Sequence, residues 1–183
     1  MQKTLEQYDY QLKECRSLFL KKNQDYGTAW RILRPSSLTD QIFIKASRIR
    51  QIQETGSQRV DEPVSDAFIG IVNYSILANI QLELPQDTEL ELAPDKVQKL
   101  YDQEAEITRQ LMIDKNHDYG EAWRDMRISS LTDLILMKLI RIRQIEDHDG
   151  KTLVSEGLPG NYRDIINYAI FALIKLEEKT TTL

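Results

Sequence analysis

The sequence contains little of what disulfide-rich proteins, thiolate metal proteins or membrane proteins require. Cys15 is the only cysteine, and one thiol supplies neither a disulfide framework nor a metal site built from cysteines. Residues 1–7 lack the apolar run of a signal peptide, and no later stretch is long and apolar enough to span a bilayer. We therefore expect a soluble, cytoplasmic protein that has no membrane partner.

A surplus of positive charge is missing too. The chain has 24 Lys and Arg residues against 29 Asp and Glu residues, which gives a formal net charge of −5. Non-specific binding to nucleic acid needs a basic face that displaces counterions from phosphates, and this composition argues against such a face. A local cluster of basic residues that binds one small anion is still compatible with it.

What the chain does contain is one block of sequence that occurs twice. Residues 22–52 return as residues 115–145, and both copies keep the motifs Asp-Tyr-Gly and Ala-Trp-Arg. Self-similarity at a fixed offset indicates a tandem duplication. We assign residues 1–84 to a first repeat, residues 85–94 to a linker with two prolines, and residues 95–183 to a second repeat.

Apolar residues recur at three- and four-residue spacing in three segments of each repeat, which predicts three amphipathic helices per repeat. Units of this size bury a modest core alone, so we expect an all-α fold whose repeats pack as a pseudo-two-fold bundle, as in a homodimer. Gly27 and Gly120 are predicted to follow the first helices with a positive φ. Ser37 and Ser130 are predicted to cap the second helices. The sequence leaves open whether the chain also forms a homo-oligomer.

The turn after the first helix carries side chains that suit a ligand. A guanidinium offers paired donors to phosphate or carboxylate, and an aromatic ring can stack on a nucleobase. Trp30 and Trp123 are predicted to be core anchors instead, because an aromatic residue at a helix junction usually fills the space between elements. The candidate ligand-binding residues of the two turns are Asp25, Tyr26 and Arg31, with their copies Asp118, Tyr119 and Arg124. A duplicated helix-ending turn would explain the acidic residues without a ligand.

Basic residues interrupt the apolar stripe of the second helix in both repeats, as Lys45 and Arg48 and as Lys138 and Arg141. Such a lysine can lay its stem along apolar surface and keep its ammonium in water. If the ammonium is held inward it needs a carboxylate, because an unpaired buried charge is costly. We favour the paired interpretation and count these four residues as candidate ligand-binding residues.

Acidic residues and an asparagine follow in the third helix. The aligned pairs are Glu62 with Glu156, Asp66 with Gly160, Gly70 with Asp164, and Asn73 with Asn167. When the copies are overlaid, these positions are spaced i, i+4, i+8 and i+11, on one face of a helix. Stacked carboxylates repel unless lysines or a cation neutralise them. Two interpretations stay open: structural ion pairs with Lys45 and Lys138, or a Mg²⁺ site in which Glu62, Asp66, Glu156 and Asp164 are the metal ligands. Asn73 and Asn167 are candidate ligand-binding residues.

In combination these motifs resemble a known family, the first of the nucleotide modification associated domains. The resemblance rests on Lys-Asn-x-Asp-Tyr-Gly-x-Ala-Trp at residues 22–30, on the Leu-Thr-Asp helix with Lys45 and Arg48, and on the helix from Asp66 to Tyr74. It covers nearly all of both repeats. It implies a small helical domain linked to modified nucleotides or to DNA modification, without an established reaction. The glycines at positions 70 and 160 depart from the fuller acidic pattern that the family suggests.

Two functions from different classes follow. In the first, the protein binds a nucleotide or another phosphate ligand and resembles a Mg²⁺-dependent nucleotide phosphohydrolase. Similarity to the all-helical nucleoside triphosphate pyrophosphatases is by analogy only, because their paired acidic motifs are absent in that form. In the second, the repeats are a non-catalytic helical module that binds a protein partner, and the Lys and Asp residues form structural ion pairs.

Overall fold

The computed structural model describes residues 1–85, 88–154 and 156–181. These residues form six α-helices and two short 3₁₀ helices, and they contain no β-strand. The first repeat contains α1 (Gln2–Tyr26), α2 (Pro35–Thr55) and α3 (Val64–Glu83), and the second contains α4 (Pro94–Tyr119), α5 (Ile128–Asp147) and α6 (Leu158–Thr181). The 3₁₀ helices Ala29–Ile32 and Ala122–Asp125 join the first two helices of each repeat. The all-α prediction, with three helices per repeat, is confirmed.

The first helix of each repeat ends at a glycine with a positive φ, as predicted. Gly27 follows α1 with φ 59° and ψ −142°, and Gly120 follows α4 with φ 60° and ψ 34°. The two glycines therefore occupy different regions of the backbone map, and only Gly120 is in the left-handed helical region. The sequence placed the end of the helix too early, since Asp25 and Tyr26 lie within α1.

The predicted serine caps are wrong. Helix α2 begins at Pro35 after Arg34, and α5 begins at Ile128 after Arg127, so Ser37 and Ser130 lie inside their helices. A proline in the first turn has no N–H that needs a partner, so α2 can begin without a side-chain cap. Asp40 of α2 forms an ion pair with Arg143 of the other repeat, with Nη2 and Oδ1 2.8 Å apart.

The two repeats pack against each other mainly through their third helices. Helices α3 and α6 lie together at the centre, and α2 packs on α5 beside them. Both central helices are apolar around most of their circumference, with Ile71, Ile76, Ile166 and Ile170 fully buried. A helix that is apolar on several faces must be covered on each of them. One continuous core therefore runs through both repeats.

Pairs of contacts related by the pseudo-two-fold connect the repeats. Nε of Arg16 lies 2.6 Å from Oδ1 of Asp102, and Nε of Arg109 lies 2.6 Å from Oδ1 of Asp9. In each case the arginine comes from the first helix of one repeat and the aspartate from the first helix of the other. Such reciprocity is the signature of an isologous interface. The two repeats therefore meet as the identical subunits of a dimer would.

The segment between α3 and α4 packs against the turn of the first repeat. Thr28 Oγ1 donates to the carbonyl oxygen of Leu90 at 2.5 Å and accepts from the amide of Leu92 at 3.0 Å. Arg31 Nη2 donates to the carbonyl oxygen of Thr88 at 2.9 Å. Residues 86 and 87 of the predicted linker, and residues 182 and 183 of the second repeat, lie outside the described residues.

Candidate functional site

The first repeat contains a pocket of about 630 Å³ between α1, α2 and α3. Its apolar walls come from residues such as Phe19, Leu33 and Leu77, and its other aromatic residues are Tyr26, Trp30 and Tyr74. Polar groups enter it from three elements, namely Lys22 on α1, Lys45 on α2, and Glu62, Asp66 and Asn73 on or just before α3. A concave apolar pocket with a few convergent polar groups is the usual form of a small-molecule site.

Two lysines of this pocket lack an anionic partner within the described part of the chain. Lys22 is exposed, and among the described residues it has no hydrogen-bond or ion-pair partner. Lys45 is half-buried and its ammonium lies 5.8 Å from the centroid of the Tyr74 ring. Gly70 makes room for the Lys45 stem, because a Cβ added there would lie 2.7 Å from Lys45 Cε. The pocket therefore has a positively charged side.

The two predicted acidic ligands of the first repeat, Glu62 and Asp66, have different surroundings. Arg48 donates to the backbone carbonyl oxygen of Glu62 at 2.7 Å, and its Nη1 lies 3.7 Å from the carboxylate of Glu62. Glu62 precedes α3, so the expected stacking with Asp66 on one helix does not occur. Asp66 is exposed at the first turn of α3, lines the pocket, and forms no ion pair with Lys45. The predicted Lys45–Asp66 pair is absent.

The corresponding place in the second repeat is occupied by an ion-pair cluster around a buried aspartate. Asp164, only 4% exposed, accepts from Lys138 Nζ at 2.6 Å and from Lys115 Nζ at 2.5 Å. Burial alone would lower the pKa of Lys115, but the hydrogen bond and charge of Asp164 outweigh it, so that pKa is raised. The three residues align with Gly70, Lys45 and Lys22 of the first repeat. The predicted pairing of Lys138 with an aspartate of the third helix is thus found.

The aromatic parts of the two repeats differ at one aligned position. In the second repeat, Trp123 stacks on Phe171 with ring centroids 4.2 Å apart and planes inclined by 3°. Both rings are buried, so the prediction of a core anchor holds for Trp123. The position aligned with Phe171 is Leu77, and the half-buried Trp30 lines the pocket beside it. A leucine is too small to cover the indole as a phenyl ring does.

Arg31 and Arg124, in the two turns, form hydrogen bonds with other parts of the chain. Arg31 is buried and donates to Gln81 Oε1 at 2.6 Å as well as to the linker carbonyl of Thr88. Arg124 donates to Thr4 Oγ1 at 2.5 Å and to Gln7 Oε1 at 2.8 Å. These contacts use the donors that were expected to meet phosphate. The exposed side chains of Asp25, Tyr26, Asp118 and Tyr119 lie at the ends of α1 and α4.

Both predicted asparagines bond to the other repeat. Asn167 is buried, and its Oδ1 accepts from the hydroxyl of Tyr8 at 2.7 Å. Asn73 accepts from the hydroxyl of Tyr101 at 2.7 Å and donates to the carbonyl oxygen of Cys15 at 3.0 Å. Because desolvation dominates, burial raises the pKa of both tyrosines. Asn73 lines the first pocket as well, whereas Asn167 lies within the core.

A basic groove of about 640 Å³ lies beside the ion-pair cluster of the second repeat. Its lining combines Lys115, Lys138 and Asp164 with Arg141, Lys151 and Glu156. Glu156 precedes α6 and its carboxylate would approach within 3.1 Å of a Cβ at Gly160. The four predicted metal ligands are divided between the two repeats. Within the described ranges, no group of three or more His, Cys, Asp or Glu side chains could hold a metal ion.

Sequence reasoning missed the contribution of Lys22, Lys115 and the Leu77/Phe171 difference. The lysines were visible in the duplicated motif, since both copies begin with Lys-Asn. Their role was not predicted because the ligand contacts were assigned to the turn after the first helix of each repeat. Lys22 and Lys115 lie on that helix itself. The apolar difference between Leu77 and Phe171 carries no chemical signal in a single sequence. The effect of this difference becomes visible only in the structure, where Phe171 stacks on Trp123.

The fold and pocket define an all-α protein of two helical repeats with an amphipathic pocket in the first. The model of the family described as nucleotide modification associated domain 1 matches residues 22–82 and again residues 115–176. Since these segments cover more than half of the chain, the protein belongs to this family, and the two matches are consistent with tandem duplication. No curated protein and no solved structure matches the chain. Of the helices described, none is long and apolar enough to cross a membrane.

Proposed function

We propose that the first repeat binds a nucleotide in the pocket between α1, α2 and α3. The observation that carries this proposal is a pair of lysines, Lys22 and Lys45, that have no anionic partner among the described residues and that line a pocket whose apolar wall includes Trp30. Two ammonium groups suit a phosphate, and an indole offers a flat surface for a base. Family membership points to nucleotides in the same direction.

A buried acceptor next to the pocket supports recognition of a base. Asn23 lines the pocket, and its Oδ1 is buried without a hydrogen-bond partner among the described residues. Unsatisfied buried polar atoms are uncommon and call for an explanation. A base that donates a hydrogen bond to Asn23 Oδ1 would satisfy this acceptor.

Phosphohydrolase activity is the finer part of the proposal. Glu62 and Asp66 line the same pocket as the lysines, and two carboxylates together with phosphate oxygens and water make an ordinary Mg²⁺ shell. The Mg²⁺ ion would reduce repulsion between phosphate and the two acids. Loss of phosphate release in Asp66→Asn, with nucleotide affinity retained without Mg²⁺, would support this step. Equal release by Asp66→Asn and wild type would contradict it.

The main experiment is a thermal-shift screen of nucleoside mono- and triphosphates, with and without Mg²⁺. We expect a nucleotide to raise the melting temperature of wild type, because a ligand that binds only the folded state stabilises it. Lys22→Ala combined with Lys45→Ala should remove the shift. The matched control is Lys3→Ala with Lys13→Ala on the outer part of α1, which should leave the shift unchanged.

The second candidate function is a non-catalytic interaction module. The observation in its favour is the Lys138–Asp164 ion pair, which a purely structural explanation of the charged residues predicts. If no phosphate ligand shifts the melting temperature of wild type, this alternative is favoured. Under it, replacing Lys138 and Asp164 together with apolar residues should be tolerated, as it often is for buried pairs.

A further inference from the structure

Both repeats contain two aligned lysines and an aligned tryptophan, but the groups between and beside them differ. A groove of about 640 Å³ remains at Lys115, Lys138 and Asp164 of the second repeat, and neither Trp123 nor Phe171 lines it. In the second repeat the carboxylate of Asp164 lies between Lys115 and Lys138, and the ring of Phe171 lies on Trp123. In the first repeat the aligned residues are Gly70 and Leu77, so neither group is present. Lys22, Lys45 and Trp30, which align with the surrounding groups, all line the open pocket.

We infer that the second repeat holds with its own side chains what the first repeat takes from a ligand. The anionic group of the ligand would lie between Lys22 and Lys45, where Asp164 lies in the second repeat. A planar ring would stack on Trp30, where Phe171 stacks on Trp123. The chain then has one nucleotide site, and Gly70 and Leu77 keep that site open. This inference deepens the proposed function and rests on it.

Charge and shape support the correspondence independently. Asp164 is a single carboxylate that accepts hydrogen bonds from two ammonium groups, which is also how a terminal phosphate is bound. The stacking in the second repeat is nearly parallel, with planes only 3° apart, as base stacking on an aromatic residue requires. The ligand class is therefore a flat heteroaromatic ring connected to a terminal anion, of which a nucleoside 5′-monophosphate is the simplest nucleotide example.

The same comparison shows what an aspartate at position 70 would do. A Cβ at Gly70 would meet Lys45 Cε at 2.7 Å, but the contact is with the flexible part of a side chain that can move. An aspartate at this position would draw Lys45 and Lys22 onto its carboxylate, as Asp164 does with their copies. Gly70→Asp would thus place an internal anion where the nucleotide phosphate binds.

The test uses the intact chain with AMP, GMP, CMP and TMP, each titrated alone by calorimetry. Wild type should bind one equivalent of at least one of them. Gly70→Asp and Leu77→Phe, made singly, should each weaken that binding by about tenfold or more, because each fills one part of the pocket. The matched controls are Gly56→Asp and Leu90→Phe, at exposed positions outside the pocket, which should bind as wild type does.

Tryptophan fluorescence identifies the occupied repeat without relying on variants that fill the pocket. The chain has two tryptophans, so Trp123→Phe leaves Trp30 as the only indole and Trp30→Phe leaves Trp123. The nucleotide should quench Trp30 in the Trp123→Phe protein and leave Trp123 unquenched in the Trp30→Phe protein. Quenching that follows Trp123, two equivalents bound by wild type, or unchanged affinity in both Gly70→Asp and Leu77→Phe would overturn the inference while nucleotide binding stands. Failure of all four monophosphates and of the wider screen to bind would instead overturn the proposed function.

Discussion

The hydroxyl of Tyr8 donates to Oδ1 of Asn167 at 2.7 Å, which connects the first helix of one repeat to the last helix of the other. The pseudo-two-fold mate of this bond, from Tyr101 to Asn73, has the same length. Their surroundings differ, since Asn167 is buried and Asn73 is half-buried beside the open pocket. Two chemically identical hydrogen bonds in one molecule thus differ in access to water.

Tyr8→Phe should therefore destabilise the protein more than Tyr101→Phe. Removing the Tyr8 hydroxyl leaves a buried amide oxygen without its partner, which costs about 1–3 kcal/mol. At Asn73 water from the pocket can replace the lost donor, so the expected cost is about 1 kcal/mol or less. Urea unfolding of both variants measures the difference. Equal losses would show that the burial of the two asparagines does not matter.

A second prediction concerns the buried Lys138–Asp164 pair. Asp164→Ala should lower the free energy of unfolding by about 3–5 kcal/mol, because it leaves the buried Lys138 ammonium unpaired. Lys138→Met combined with Asp164→Leu should cost much less than the two single losses added together. The control is the same cycle at Lys45 and Asp66, which form no ion pair, so their coupling energy should be near zero. Coupling of the same size in both cycles would contradict the structure.

The third prediction is a pH dependence at Glu146. Desolvation by burial raises the pKa of Glu146 above the usual 4.5, and the neighbouring charges of Asp40 and Asp147 act in the same direction. The folded state therefore binds this proton more tightly than the unfolded state. The contribution of Glu146 to stability is present below the unfolded pKa and is lost as the pH rises through the folded pKa.

Glu146→Gln should remove that loss. The glutamine can still hydrogen-bond Thr39 Oγ1, which now lies 2.7 Å from Glu146 Oε1, just as the aligned Gln53 donates to Thr132. The variant should match wild type near pH 4 and exceed it at pH 7 in denaturant unfolding. Gln53→Glu, at an exposed position, is the control and should show a smaller pH effect. A stability difference that is the same at both pH values would refute the desolvation argument.

The fourth prediction distinguishes the two turn glycines. Asparagine tolerates the left-handed helical conformation of Gly120, so Gly120→Asn should cost about 1 kcal/mol or less. Gly27→Asn should cost about 1–3 kcal/mol, because its φ and ψ belong to a region that side chains avoid. In addition, a Cβ at Gly27 would lie 2.6 Å from a carboxylate oxygen of Glu91. Thermal melts of both variants measure the contrast, and similar melting temperatures would contradict it.

Much of the fold was predictable because the sequence describes it twice. Helical periodicity in one copy can be checked against the other, so the number of helices and the packing of two repeats follow from pattern alone. Helix ends were less predictable. Ser37 has the right chemistry for a cap, but Pro35 fixes a helical φ two residues earlier, and α2 begins there.

The site was predictable only in part. Lys138 needed a carboxylate, and alignment of the copies put Asp164 within reach of its helix. Lys45 was expected to pair with an aspartate as well. The first repeat has Gly70 where the second has Asp164, and the carboxylate of Asp66, one turn earlier, forms no ion pair with Lys45. The roles of Asn73 and Asn167 were missed because their partners, Tyr101 and Tyr8, come from the other repeat. Contacts between residues so distant along the chain leave no periodic pattern.

Because the two repeats are part of one chain, they can acquire different substitutions at symmetry-related positions. In an assembly of two identical chains, any substitution appears at both symmetry-related positions, so an inward aspartate would block both clefts simultaneously. A fused gene releases the copies from that constraint. Gly70 and Asp164 can then coexist in one polypeptide, with an ion-pair cluster in one copy and an open pocket in the other.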